Sequence, residues 1–277
     1  MGRLDGKVAL ITGAGRPEGL GQGMARRLAD VGVRIVLHDR GRVDGEIAPS
    51  HGVGTHDDLA GTADVLRAEG VEVATVTADL LDPAETEAMV AEAAAAFGRL
   101  DILVNNAGIG YLFGPMVKMP VEQWDAVLGV NLRAAFLCSK AAATRMIAQG
   151  EGGRIINIAS QAGKSGFAFA TAYTASKHGL IGLTRAAALE LAEHKITVNA
   201  ICPNHVTTGL GAWQNQFMSN ARGQSLDEYM AAMRNRIPLG RPGLVEDTAN
   251  VCAFLCSDEA AYVTAEAINV SGGEEYH

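Results

Sequence analysis

Short apolar runs alternate with longer stretches of helical periodicity along most of the chain. Residues 8–12 form the first run, closed by Gly13, and their continuous hydrophobicity fits a parallel strand buried on both faces. A glycine-rich turn follows, and Leu20, Met24, Ala25 and Leu28 then mark the inner face of a helix. Residues 33–39 read as the second strand, 58–69 as a helix capped by Asp58, and 71–77 as the third strand. Pro83 opens a helix that runs to Phe97. Residues 100–104 are the fourth strand, 121–149 one long helix, 154–159 the fifth strand and 196–201 the sixth. Strands alternating with helices in this way predict an α/β fold around a parallel sheet.

The chain has 277 residues, 48% of them hydrophobic, enough for one domain spanning 1–277 with a substantial core. Net charge is −8 and the basic residues are scattered, which argues against nucleic acid or an anionic membrane as partner. No uninterrupted apolar segment is expected to cross a membrane, and the first strand begins too early to leave room for a signal peptide. Cys138, Cys202, Cys252 and Cys256 stand in apolar surroundings without a CxxC pair, so free buried thiols in a reducing cytoplasm are expected, with no metal site. His51 and His56, near Asp57, read as surface loop histidines rather than ligands.

The first turn carries the chemistry. Glycine reaches positive φ cheaply and lets backbone approach a phosphate, while the following helix offers free N–H groups to an anion. The plainer alternative is a glycine-rich turn that binds nothing. Asp39 ends the second strand where an acid would bond adenosine ribose hydroxyls and repel a 2′-phosphate, favouring NAD over NADP. Arg40 follows it directly, and Arg16 lies in the turn. A solvated strand end is the bland reading of Asp39.

The turn resembles the TGxxxGxG signature of the short-chain dehydrogenase/reductase family, through Thr12, Gly13, Gly19, Leu20 and Gly21, with Gly15 inside an enlarged loop. Five residues separate Gly13 from Gly19 where the family has three, as if Pro17 and Glu18 were inserted. Such an insertion bulges outward at little cost, so the phosphate site should survive with a remodelled lip. The resemblance continues through Asp79 and Leu80, the run Asn105-Asn106-Ala107-Gly108, and Asn131. It becomes specific at Ser160 followed by Tyr173 and Lys177, and extends to the end of the chain. It implies a single-domain Rossmann fold with a doubly wound, seven-stranded parallel sheet. Asp79 and Leu80 would meet adenine; Asn106, Ala107 and Gly108 would pass beneath it; and Pro203, Val206 and Thr208 would line the nicotinamide. Arg16 matches a position that is basic in some NADP-using members. Tyr173 would be the general acid/base, its pKa lowered by Lys177 one turn away together with the positive nicotinamide; Ser160 would bond the developing alkoxide; and Asn131, at a helix bend, would hold a water of the proton relay. Taken alone, an asparagine inside a helix is just as well satisfied by neighbouring backbone.

The family usually has Pro-Gly where this chain has Pro203-Asn204. Gln161, Asn204 and His205 are expected to make a polar substrate pocket closed by Trp213, within a lid spanning 204–241. That pocket suits a polyol, diol or sugar alcohol and its ketone, as in family dehydrogenases of that type. Met and aromatic residues in the lid would equally make a small satellite core. Alternatives are an NADPH-dependent 3-oxoacyl-type reductase, a non-catalytic sensor on the same fold, and a dehydrogenase that retains its NAD, the last raised by the long 41–58 loop. Alanine-rich helices at 133–147 and 175–191 resemble those that build family tetramers, so a homotetramer is expected.

Overall fold

The computed structural model describes residues 4–41, 54–110 and 114–277. Seven parallel strands form one sheet in the order β3-β2-β1-β4-β5-β6-β7. They are β1 (Val8–Ile11), β2 (Arg34–Asp39), β3 (Val73–Thr77), β4 (Ile102–Asn105), β5 (Gly153–Ile158), β6 (Ile196–Pro203) and β7 (Ala267–Val270). Every strand pairing is parallel, as continuous apolar strands require. The order reverses between β1 and β4, and a crevice opens above the carboxyl ends of the strands at such a point.

The helices are α1 (Leu20–Ala29), α2 (His56–Ala68), α3 (Pro83–Phe97), α4 (Val121–Leu128), α5 (Ala134–Gln149), α6 (Thr171–Leu191), α7 (Gly209–Ala221), α8 (Leu226–Arg236) and α9 (Val245–Cys256). One core layer gathers Met24, Leu28, Ile35, Leu66 and Cys252 on one face of the sheet. A second gathers Val90, Leu103, Cys138, Met146 and Ile155 on the other. All four cysteines are buried and free.

Three elements depart from the sequence reading. Helix α2 starts at His56, its N-cap is Thr55, and Asp58 closes the capping box from inside the first turn. The expected cap was Asp58; Thr55 wins because its hydroxyl accepts the Asp58 N–H while the Asp58 carboxylate returns to the Thr55 N–H. The long loop therefore ends at Thr55; His51 and residues 42–53 lie outside the described residues. The long helix is broken by a π-helical turn, Gly129–Arg133, between α4 and α5. By length and composition the run Val121–Gln149 would pass for a membrane span, but charged residues interrupt it, and 44% of its most apolar 18-residue window is buried within the fold.

A chain of polar side chains crosses the core behind the site. Asn105 Nδ2 on β4 donates to Ser139 Oγ (2.9 Å) and to Asn157 Oδ1 on β5 (2.8 Å). Asn157 Nδ2 donates to Thr184 Oγ1 on α6 (2.8 Å), which donates to Leu180 O. These groups are buried and bonded to one another, which ties α5 and α6 to the central strands. Past β6, α7 and α8 close on their own cluster of Tyr229, Met233 and Ile237 with Met218 and Met230, so this segment carries the small satellite core its composition allowed.

Candidate active site

The crevice above β1 and β4 is a single cleft of about 460 Å³. At one wall the glycine turn is locked onto the turn after β4. Asn106 Nδ2 donates to Thr12 O (2.9 Å) and Gly13 O (2.8 Å), and the Asn106 N–H donates to Thr12 Oγ1 (3.1 Å). Gly13 has φ +65°, and a Cβ there would come within 2.6 Å of Ala107 Cα. A Cβ on Gly21 would lie 2.8 Å from Asn106 Nδ2 and 2.9 Å from Gly13 O. Both positions need glycine for close approach. Pro17 and Glu18 bulge to the exposed side, with Glu18 at φ 55° and its N–H donating to Gln22 Oε1 (2.7 Å). The insertion thus leaves the cradle in place. The N-cap of α1 is Gly19, which offers its helix no side-chain acceptor, so the dipole end is left to a ligand.

Asp39 stands at the far end. Its Oδ2 accepts the Gly15 N–H (2.9 Å) and its Oδ1 the Arg40 N–H (2.8 Å). The Arg40 guanidinium pairs with Asp79 Oδ2 at 2.9 Å. Burial depresses Arg16, while Asp39 and Asp58 favour its charge. His38 is buried beside them, with Nε2 3.2 Å from Ala78 O, and burial pushes its pKa down.

Tyr173 and Lys177, one turn apart on α6, face the opposite end with Ser160. The Tyr173 hydroxyl shares a hydrogen bond with Ser160. Lys177 Nζ donates to Ile158 O (2.8 Å) and lies 5.6 Å from the centre of the Tyr173 ring. Burial raises the Tyr173 phenol, outweighing the Ser160 hydrogen bond, and pushes Lys177 down to about 8. Desolvation dominates both groups, and the expected lowering of the phenol depends on the nicotinamide charge as well as on Lys177. Asn131 sits in the π turn, where its Oδ1 accepts the Ile109 N–H (2.8 Å). Its Nδ2 donates to Ile109 O (2.9 Å) and Ser176 Oγ (3.1 Å). The side chain therefore clamps the loop after β4 to α6 from a π turn that interrupts the helix.

The anticipated residues Gly13, Arg16, Gly19, Leu20, Gly21 and Asp39 line the cleft, as do Asp79, Leu80, Asn106, Ala107 and Gly108. So do Ser160, Tyr173, Lys177, Pro203, Asn204, Val206 and Thr208. Gly15 and Asn131 instead support its walls through backbone and side-chain bonds. Gln161, His205 and Trp213 do not line it. Gln161 Nε2 is turned to Glu275 Oε2 (3.2 Å), burial depresses His205, and Trp213 stacks on Phe217 while its neighbour Gln214 faces the cleft. His38, Ile109, Ile158 and Gly54 also line it, and sequence reasoning missed them. The first three adjoin recognised motifs, which is the only signal they carry. Among the described residues, no group of three or more His, Cys, Asp or Glu side chains could hold a metal ion.

An open helix start, glycines at close-approach positions and an acid beyond them fit a nicotinamide dinucleotide, and a phenol, a hydroxyl and an amine meet at the other end. That combination defines a hydride-transferring oxidoreductase. Comparison with known proteins agrees. The family model described as enoyl-(acyl carrier protein) reductase matches residues 13–275. A 3-oxoacyl-acyl-carrier-protein reductase of Staphylococcus aureus is 36% identical over 267 residues, which is 96% of this chain and 97% of that protein. Carveol dehydrogenase from Mycobacterium avium, solved in complex with NAD, superposes with a TM-score of 0.91 at 33% identity, covering 99% of each chain. A single-site variant of actinorhodin polyketide ketoreductase, solved with NADPH, gives 0.88 at 37% identity over 100% of each chain. The chain belongs to the short-chain dehydrogenase/reductase family.

Proposed function

We propose that this enzyme interconverts a ketone and its secondary alcohol with NAD(H), using Tyr173 as general acid/base. The observation that carries this reading is one cleft with Asp39 at one end and Ser160, Tyr173 and Lys177 at the other. When bound, the nicotinamide ring supplies or accepts the hydride. In the reducing direction the Tyr173 phenol gives its proton to the ketone oxygen, and the Ser160 hydroxyl donates to the charge developing there. Lys177 holds a positive charge beside the phenol and the ribose. The Asn131 clamp keeps α6 at the right height and lies on the route by which a water resupplies the proton.

NAD is favoured over NADP on charge. Asp39 would face the ribose, Arg40 is already paired with Asp79, and Arg16 feels two carboxylates. For substrate we favour a ketone of the 3-oxoacyl type over a polyol, diol or sugar. A polyol needs unoccupied hydrogen-bonding groups, whereas the Gln161 and Asn204 amides are engaged by Glu275 and Glu274. The Staphylococcus aureus relative supports the same choice. Exposed Phe136 and Ile147 on α5 and Leu189 on α6 support assembly as a homotetramer.

The test is a panel of 3-oxoacyl thioesters, cyclic diones, diols, polyols and sugars, assayed with NADH and NADPH or their oxidised forms. Turnover should be greatest with a 3-oxoacyl thioester, and kcat/KM about tenfold or more higher with NADH. A preference for NADPH would overturn the cofactor reading, and a preference for polyols the substrate reading. NAD found bound to the purified protein would instead favour a cofactor-retaining dehydrogenase.

A further inference from the structure

The turn after β7 carries two consecutive carboxylates, Glu274 bonded to the cleft-lining Asn204 and Glu275 to the segment that follows Ser160. Glu274 Oε2 accepts from Asn204 Nδ2 (2.5 Å), and Glu274 Oε1 accepts from Arg236 Nε (3.1 Å). Glu275 Oε2 accepts from Gln161 Nε2 (3.2 Å) and Ser165 Oγ (2.5 Å), both in the segment that follows Ser160. The two carboxylate side chains are only 15% and 6% exposed. Asn204 is a wall residue of the cleft, and Arg236 is the last residue of α8. One carboxylate therefore joins the cleft wall to the lid.

Further contacts surround this joint. Tyr229 and Met233 of α8 lie in the lid's own core, and the Arg222 guanidinium sits 5.4 Å from the Tyr229 ring centre. The Glu274 charge acts on both His205 and Tyr229. The Glu274 carboxylate is mostly buried while the Arg236 side chain is 42% exposed, so the bridge joins two elements from the inside outward, and removing Glu274 leaves the Asn204 amide unmatched. The bridge depends on the residue that sets this chain apart from the usual Pro-Gly pattern. Glycine at 204 would offer no side-chain amide to Glu274.

We propose that Glu274 is a positioning residue for the carbonyl substrate: through Asn204 and Arg236 it latches α8 onto the cleft wall and sets how the lid presents the substrate to Tyr173. The proposal rests on the hydride-transfer reading for its kinetic part alone.

The test uses the full chain and the variants E274Q, N204D and N204D/E274Q. E274Q leaves one oxygen to serve two donors. It should raise KM for the carbonyl substrate about tenfold, with kcat and KM for NADH within about twofold of wild type. N204D sets two carboxylates face to face and should raise KM further. The double variant again opposes an amide to a carboxylate, with polarity reversed, and should return KM to within about threefold of wild type. Hydrogen–deuterium exchange over 209–236 needs no turnover: it should quicken in E274Q and N204D and slow again in the double variant. Should E274Q fold poorly, Arg236→Met breaks the same joint from the exposed lid side and should quicken exchange likewise. Unchanged exchange in E274Q or Arg236→Met, no recovery in the double variant, or a loss of kcat without a rise in KM would overturn the latch. A wild-type protein that turns over no carbonyl or alcohol, yet shows the exchange pattern, would sink the hydride-transfer reading and leave the latch standing.

Discussion

Burial drives Tyr173 and Lys177 apart, raising the phenol and bringing the amine down to about 8. A protonated phenol is an acid ready for ketone reduction, so reduction should hold through neutral pH while alcohol oxidation should climb as pH rises. Opposite trends in the two directions, measured as kcat against pH, would refute this assignment. Tyr173→Phe removes the proton but leaves the cleft lined. Turnover should fall by about three orders of magnitude or more while NADH still quenches or enhances fluorescence on binding. Lys177 also makes a stability statement. Its folded pKa of about 8 lies below the ordinary 10.5, so between those values the unfolded chain holds the extra proton. Stability referable to Lys177 therefore rises with pH across that window and is flat below it, by up to about 3 kcal/mol. Urea unfolding of the wild type and Lys177→Met without added dinucleotide should show the wild type gaining on the variant between pH 7.5 and 10.

At the scale of elements, the glycine cradle and the π turn hold the two ends of the site. Gly21→Ala forces a methyl against Asn106 Nδ2, Ala14 Cα and Gly13 O, all under 3.0 Å. Because two of those atoms are backbone, the cradle must open, and dinucleotide affinity should drop about tenfold or more in a fluorescence titration. Asn131→Ala loses the Ile109 and Ser176 partners and leaves the Ile109 groups unmet. It should cost about 2–3 kcal/mol in unfolding free energy and also lower kcat. Elements of this kind were readable wherever the signal was local. The Tyr173–Lys177 spacing, the apolar strands and Pro83 at a helix start all act within a turn or two of chain. Thr55 and Asp58, the two residues of the capping box, are both good caps by residue type, and only the backbone geometry separates them. Trp213 is expected to close the pocket, but the phase of α7 turns its neighbour Gln214 to the cleft, and phase is set by packing against α8.

At the scale of the molecule, the parallel sheet and its reversal followed from strand–helix alternation and the family motifs. The wall contacts did not, since Glu275 and Gln161 are 114 residues apart and Glu274 and Asn204 are 70 apart, with no periodicity linking them. Assembly belongs to this scale too. If the exposed apolar side chains of α5 and α6 are covered as proposed, sedimentation velocity should give a mass near four times the 28.9 kDa chain, and Leu189→Glu should lower it. The polar chain from Asn105 through Asn157 to Thr184 has a consequence of its own. Oily side chains can interdigitate at several offsets along a helix axis, whereas a row of matched donors and acceptors admits one. A variant whose crossing groups are swapped for leucine and valine should melt at an equal or higher temperature, yet run slower, because the rod bearing phenol and amine would be free to slip lengthwise like a bolt without its detent.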